Sequence, residues 1–157
     1  MGPARQSEFP SASNPGGPSA HHPSTPAPYR LSMSRYEQFH EFRTRLNQRI
    51  LGAGDPARSK TGATLNTKRF FNLDTNCYKA GALDVKTKEL LGLVASMVLR
   101  CDDCIAYHID RCAEEGCTDQ ELWECFDVAL IVGGSIVIPH LRRAVDFLDE
   151  TRAHKPA

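Results

Sequence analysis

From Ser34 onward the apolar residues recur at intervals of three and four, and no stretch alternates convincingly with period two, so every periodic segment predicts helix. "SRYEQFHEFRTRLNQRIL" places Phe39, Phe42, Leu46 and Ile50 along one side and opens with Ser34 and Glu37 at capping-box spacing. A polar connector rich in breakers, "GAGDPARSKTGA", separates it from a second helix in "TLNTKRFFNLDTNCYKA". There Phe70, Leu73 and Cys77 share helical spacing and Gly81 is the expected stop. Asp84 caps a third helix whose Leu90–Leu99 stretch is apolar on all sides, a pattern that belongs in the middle of a bundle. "CDDCIAYHIDRCAEEG" follows and ends at Gly116; Thr118 and Glu121 form a second capping box for "DQELWECFDVALIV", which stops at Gly133–Gly134. In the last helix Leu141, Ala144, Val145 and Leu148 form the inner stripe, with Pro139 in the first turn. The expectation is an all-α bundle of about six helices, one domain over residues 34–152 followed by a flexible tail at 153–157.

Composition changes this picture at the front of the chain. Seven of the ten prolines fall within the first 28 residues, among serines and few large apolar side chains, so residues 1–32 read as disordered. They lack the apolar centre of a secretory signal. The chain has 19 basic and 19 acidic residues, which points to neither a nucleic-acid surface nor a membrane-binding polybasic patch. No run is long and apolar enough to span a bilayer. Six cysteines without a signal segment read as cytoplasmic thiols, some of them reactive, more readily than as a disulfide framework.

The candidate chemistry lies where the third helix meets the fourth, in "KELLGLVASMVLRCDDCIAYH". Asp102 and Asp103 are poor interior helix residues and good helix starters, which predicts a break at Arg100–Asp103 and puts Cys104 in or near a first turn. Unpaired N–H groups and the helix dipole favour a thiolate there. His108 lies four residues on, over the same face, and can take the thiol proton or hold the thiolate as an ion pair. Cys101 is near enough in the chain to form a disulfide with Cys104 after oxidation. Glu89 is left open: an antiparallel hairpin places it far from the cysteines, whereas steeply angled helices, or a site built between subunits, bring it to His108.

Glu89, Cys101, Cys104 and His108, separated by eleven, two and three residues, together with "DVKTKELLGLVAS", "CDDCIAYH" and "VALIVGG", resemble the signature of the alkylhydroperoxidase D and carboxymuconolactone decarboxylase superfamily over roughly residues 66 to 150. The resemblance implies an all-helical fold that assembles into trimers or hexamers and a thiol-dependent peroxidase with no cofactor or metal. By position, it makes Cys104 the peroxide-reactive thiol, Cys101 its disulfide partner and exchange site, and His108 with Glu89 the proton relay. Its implied partners are a hydroperoxide substrate and an external dithiol reductant. The prototype peroxidase has a further histidine between its cysteines where this chain has Asp103, and two carboxylates beside the thiols disfavour thiolate.

Other readings use the same residues. On one unbroken helix Cys101, Cys104, His108 and Cys112 share a face and are zinc-capable. A redox sensor uses the dithiol without turnover. Decarboxylation of a carboxylated lactone, the superfamily's other activity, needs carbanion stabilisation and a proton donor and leaves the dithiol unused. Cys77, Cys117 and Cys125 read as structural, Trp123, Phe126 and Leu130 as core or subunit interface, and His140 as a helix-surface residue.

Overall fold

The computed structural model describes residues 33–52 and 63–156; residues 1–32, expected to be disordered, lie outside the described residues. Six helices run in order: α1 (Arg35–Leu51), α2 (Leu65–Cys77), α3 (Val85–Leu99), α4 (Asp102–Glu114), α5 (Asp119–Gly133) and α6 (Ile138–His154), with a short 3-10 turn at Ser135–Val137 before α6. Among the described residues there is no strand.

The local signals act as helix starts. Ser34 with Glu37 and Thr118 with Glu121 close reciprocal capping boxes, satisfying N–H groups that the first helical turn leaves unpaired. Asp84 Oδ1 accepts from Thr87 N–H at 2.7 Å to open α3. Gly134 closes α5, and a proline sits at the start of α6.

Helix α3 packs against both α4 and α5, and α4 packs against α6. Their contact faces supply the core: Leu93 and Met97 from α3, Ile105, Ile109 and Cys112 from α4, Leu122 and Phe126 from α5, and Ala144, Phe147 and Leu148 from α6. Burying each large member contributes about 1.5–3 kcal/mol. Phe147 was not in the predicted stripe of α6, yet it reaches furthest, meeting Tyr36 and Phe39 of α1 at ring-centroid distances of 5.9 and 5.5 Å. The backbone N–H groups of Arg35 and Tyr36 donate to the Glu150 carboxylate at 3.3 and 2.6 Å, so α6 both packs and caps the start of α1.

Three expectations need correction. Helix α3 is not enclosed on all sides, because α4 and α5 cover only part of its circumference; Leu91 and Leu99 are 56% and 74% exposed. Helix α2 ends at Cys77 with Tyr78 as its cap, ahead of Gly81, and its row of Phe70, Leu73 and Cys77 faces outward. At the other end, α6 continues through His154, and Lys155 is tied to Asp110 and Glu114 at 2.7 Å each, so residues 153–155 are not a free tail.

Replacing Phe147 with alanine opens a cavity between α6 and α1. The expected cost is about 3–5 kcal/mol, read from urea denaturation midpoints. A loss below 1 kcal/mol (roughly a surface substitution) would show that Phe147 does not hold α1 in place.

Candidate active site

The two cysteines are placed by one helix end and one helix start. Helix α3 closes on Arg100, in the left-handed conformation at φ 61°, whose N–H returns to the carbonyls of Met97 and Ser96. The chain turns at once, and Cys101 becomes the N-cap of α4, its sulfur accepting from Cys104 N–H at 3.3 Å. Asp102 and Asp103 occupy the first turn, where carboxylates favour the helix dipole. Cys104 is thus the third helical residue, as its sequence predicts. The structure joins Cys101 and Cys104 as a disulfide, with Cα atoms 5.2 Å apart. Cys104 is exposed and Cys101 half-buried.

Helix α4 runs back along α3 and carries His108 toward Glu89. The Glu89 carboxylate is 1% exposed and its Oε2 accepts from His108 Nδ1 at 2.8 Å. Its other oxygen, Oε1, faces Arg111 Nε at 3.4 Å, and the same guanidinium holds Glu114 and Glu115. Burying a carboxylate is costly unless it is paired and hydrogen-bonded, and here both conditions are met. The open question about Glu89 is answered within one chain, and with a hairpin where steeply angled helices were expected to be needed: His108 lies two turns into α4, far enough back along α3 to meet Glu89. Gly92 makes this possible. A Cβ on Gly92 would lie 2.4–2.8 Å from the His108 ring atoms, so the ring rests directly on the α3 backbone.

Because Nδ1 serves Glu89, the free ring nitrogen is Nε2, and the carboxylate thereby sets the tautomer. Nε2 lies 3.5 Å from the Tyr78 hydroxyl. Burial and then the Glu89 charge push the Tyr78 pKa above its ordinary value, and the same two causes raise Tyr107. Cys104, His108 and Tyr78 share the wall of a cavity of about 440 Å³ with Phe39, Phe42, Leu46 and Ile50 of α1 and with the polar Arg43, Asn47, Asp74 and Tyr107. The predicted apolar row of α1 therefore lines a cavity, with Phe39 also packing on the core.

The acidic pair beside the thiols is not as unfavourable as the sequence suggests. Asp102 Oδ1 accepts from His140 Nδ1 at 2.7 Å and Asp102 Oδ2 faces Arg143 Nη1 at 3.3 Å. Arg143 of α6 thus offsets one of the two charges, and His140, hydrogen-bonded to Asp102, is a helix-docking residue rather than a free surface one. Asp103 stays exposed at the cavity rim. The four residues of the zinc reading do not converge: among the described residues no group of three or more His, Cys, Asp or Glu is placed to hold a metal ion.

Comparison with known proteins fits this geometry. The profile of the carboxymuconolactone decarboxylase family matches residues 66–147, which include every residue of the constellation. The chain belongs to the carboxymuconolactone decarboxylase family. A family protein of Thermotoga maritima, whose description mentions antioxidative response, superposes with a TM-score of 0.64 at 60% identity, over 74% of this chain and 91% of the other. Uncharacterized protein 4 in the cox locus of Paracoccus denitrificans is 30% identical over 92 residues, covering 59% of this chain and 82% of that protein. Alkyl hydroperoxide reductase AhpD of Corynebacterium aurimucosum is 34% identical over 62 residues, 40% of this chain and 35% of its own length.

Within this carboxymuconolactone decarboxylase family chain, the structure pairs Cys101 with Cys104, sets Cys104 and His108 in one cavity wall and bonds His108 to Glu89, and it adds three residues that the sequence reading passed over. Tyr78 was read only as part of a helix end, Gly92 as one residue of an apolar run, and Arg111 not at all. Gly92 carried a signal: a glycine inside an otherwise strong helix commonly marks a close approach.

Gly92→Ala, whose folding is checked by circular dichroism because it also weakens the pairing of buried Glu89, should expel the imidazole from its seat. Expected is a loss of at least roughly tenfold in the rate at which reduced protein is oxidised by an organic hydroperoxide, an estimate based on misplacement of a catalytic group. An unchanged rate would mean the ring position is immaterial.

Proposed function

We propose that this protein is a thiol-dependent peroxidase that reduces organic hydroperoxides. The observation that carries the reading is a cysteine pair at a helix start, of which Cys104 shares a cavity wall with a histidine whose Nδ1 is held by a buried glutamate. In the reduced form Cys104, in the first turn of α4, gives its proton to His108, and the helix start favours the resulting thiolate. The thiolate attacks the O–O bond, becoming a sulfenic acid as an alcohol departs. Cys101 then displaces water to give the disulfide, and an external dithiol protein returns it to the reduced state by exchange. Glu89 stabilises the imidazolium in the proton-bearing step. The cavity's apolar α1 wall suits a hydroperoxide with a hydrocarbon portion. Among the described residues no helix is long and apolar enough to cross a membrane.

The self-association implied by the family resemblance has a matching surface. Leu91 and Leu99 of α3 lie beside Val128 and Val132 of α5, lining a groove of about 580 Å³, with Ile131 88% exposed on the same helix. An exposed apolar face of this extent marks an interaction site, and a trimer or hexamer of this chain is the occupant we infer. Ile131→Asp should lower the molar mass seen by light scattering to that of the single chain; an unchanged mass would remove this face from the assembly.

The test of the activity treats reduced protein with one equivalent of an organic hydroperoxide and maps disulfides by mass spectrometry. A Cys101–Cys104 link with rapid loss of both thiols is expected in the wild type, and no hydroperoxide loss in Cys104→Ser. Turnover at the wild-type rate in Cys104→Ser would sink the proposal. Complete inertness of the wild type would return weight to decarboxylation of a carboxylated lactone. Disulfide formation without sustained consumption in the presence of a dithiol would make the protein a sensor.

A further inference from the structure

Two cavities meet at Tyr78. The apolar one carries Cys104 and His108 in its wall, and a second, polar one of about 570 Å³ reaches Glu89 and Arg111. Tyr78 lines both. It is the cap residue at the end of α2, a fixed position that aims its hydroxyl at His108 Nε2, the nitrogen Glu89 leaves free. The two rings lie tilted at 35° with centroids 5.5 Å apart.

The proposed reaction places the thiol proton on His108 but does not say how it reaches the departing oxygen. When the O–O bond breaks, an alkoxide departs, and it must be protonated within a mostly apolar cavity. Asp103 stands at the rim, but an ionised carboxylate only accepts hydrogen bonds. Arg43, Tyr78 and Tyr107 all bring donors to the cavity wall, and of these the Tyr78 hydroxyl is the one that faces His108 Nε2, at 3.5 Å.

We propose that Tyr78 is a catalytic residue that protonates the departing alkoxide and recovers its proton from His108 Nε2. The inference rests on the peroxidase reading above. The thiol of Cys104 passes its proton to His108; its sulfur then bonds the hydroxyl-bearing oxygen of ROOH as the O–O bond breaks, so sulfur is oxidised and the peroxide reduced. The RO⁻ so released takes the Tyr78 proton, and the His108 imidazolium returns a proton to the phenolate. One thiol and one hydroperoxide yield one sulfenic acid and one alcohol, and both relay residues end as they began. The raised Tyr78 pKa keeps the phenol protonated and ready to donate. A separation of 3.5 Å is long for O–H···N, but catalytic hydrogen bonds in substrate-free sites are often long and tighten in the complex.

Leaving-group chemistry separates this role from mere support of His108. An alkyl hydroperoxide releases an alkoxide that needs a proton; a peroxycarboxylic acid releases a carboxylate that does not. Stopped-flow single turnovers of reduced wild type and Tyr78→Phe are compared with tert-butyl hydroperoxide and with peracetic acid, alongside the iodoacetamide alkylation rate of Cys104. Expected is a loss of roughly 10²-fold with the alkyl hydroperoxide, with peracetic acid and alkylation rates unchanged. Equal losses with both oxidants, or no loss with either, would overturn the assignment while leaving the peroxidase reading intact. A wild type inert to both oxidants would overturn the two together.

Discussion

A carboxylate with almost no exposure, inside an otherwise apolar helix, has to be answered by the rest of the fold. Glu89 is that group, and its partners come entirely from α4: His108 on one oxygen and Arg111 on the other. An unpaired charge at this depth would cost several kcal/mol, more than most single side chains contribute. The relative placement of α3 and α4 is therefore tied to the site. Gly92 permits the close approach that lets the imidazole reach the carboxylate. The same hairpin fixes the cysteines, because the turn that reverses the chain is also the N-cap of α4. Fold and chemistry share one constraint.

The remaining elements complete that hairpin in different ways. Helix α6 backs α4 with Ala144, Phe147 and Leu148 and holds Asp102 through a hydrogen bond from His140 and the charge of Arg143. Helix α1, clamped by Phe147 and Glu150, contributes no fully buried residue and serves as the outer wall of the cavity over Cys104. Helix α2 brings Tyr78 to His108 while its Phe70 and Leu73 stay uncovered. Apolar residues of α2, α3 and α5 stay exposed, and the self-association proposed above would cover those of α3 and α5.

Helix count and starts were legible because they are local: Ser34, Asp84 and Thr118 each act within three residues of themselves, whereas the ends of α2 and α6 were misplaced. So was the cysteine turn, since Asp102 and Asp103 announce a helix start. Pairing across helices was not. The bond from Glu89 to His108 depends on how closely α3 and α4 approach, which rests on a missing side chain at Gly92. Periodicity also overstated the burial of α3, because an apolar run looks the same whether its outer side meets protein or stays exposed: Leu93 and Met97 face the core while Leu91 and Leu99 do not. The pairing of Asp102 with His140 spans 38 residues and leaves no trace in either neighbourhood.

The central claim is that the buried carboxylate sets the acidity of the reactive thiol through the imidazole. Titration of the Cys104 thiolate by its ultraviolet absorbance, in reduced wild type and in Glu89→Gln, tests it most directly. Cys101→Ser in both backgrounds leaves Cys104 as the titrating member of the pair. Glutamine keeps the shape and a hydrogen-bond acceptor but removes the charge that stabilises the imidazolium. The account predicts a wild-type thiol titrating below the ordinary cysteine value of about 8.5 and a return toward that value in the variant. Identical titration curves for the two proteins would contradict it.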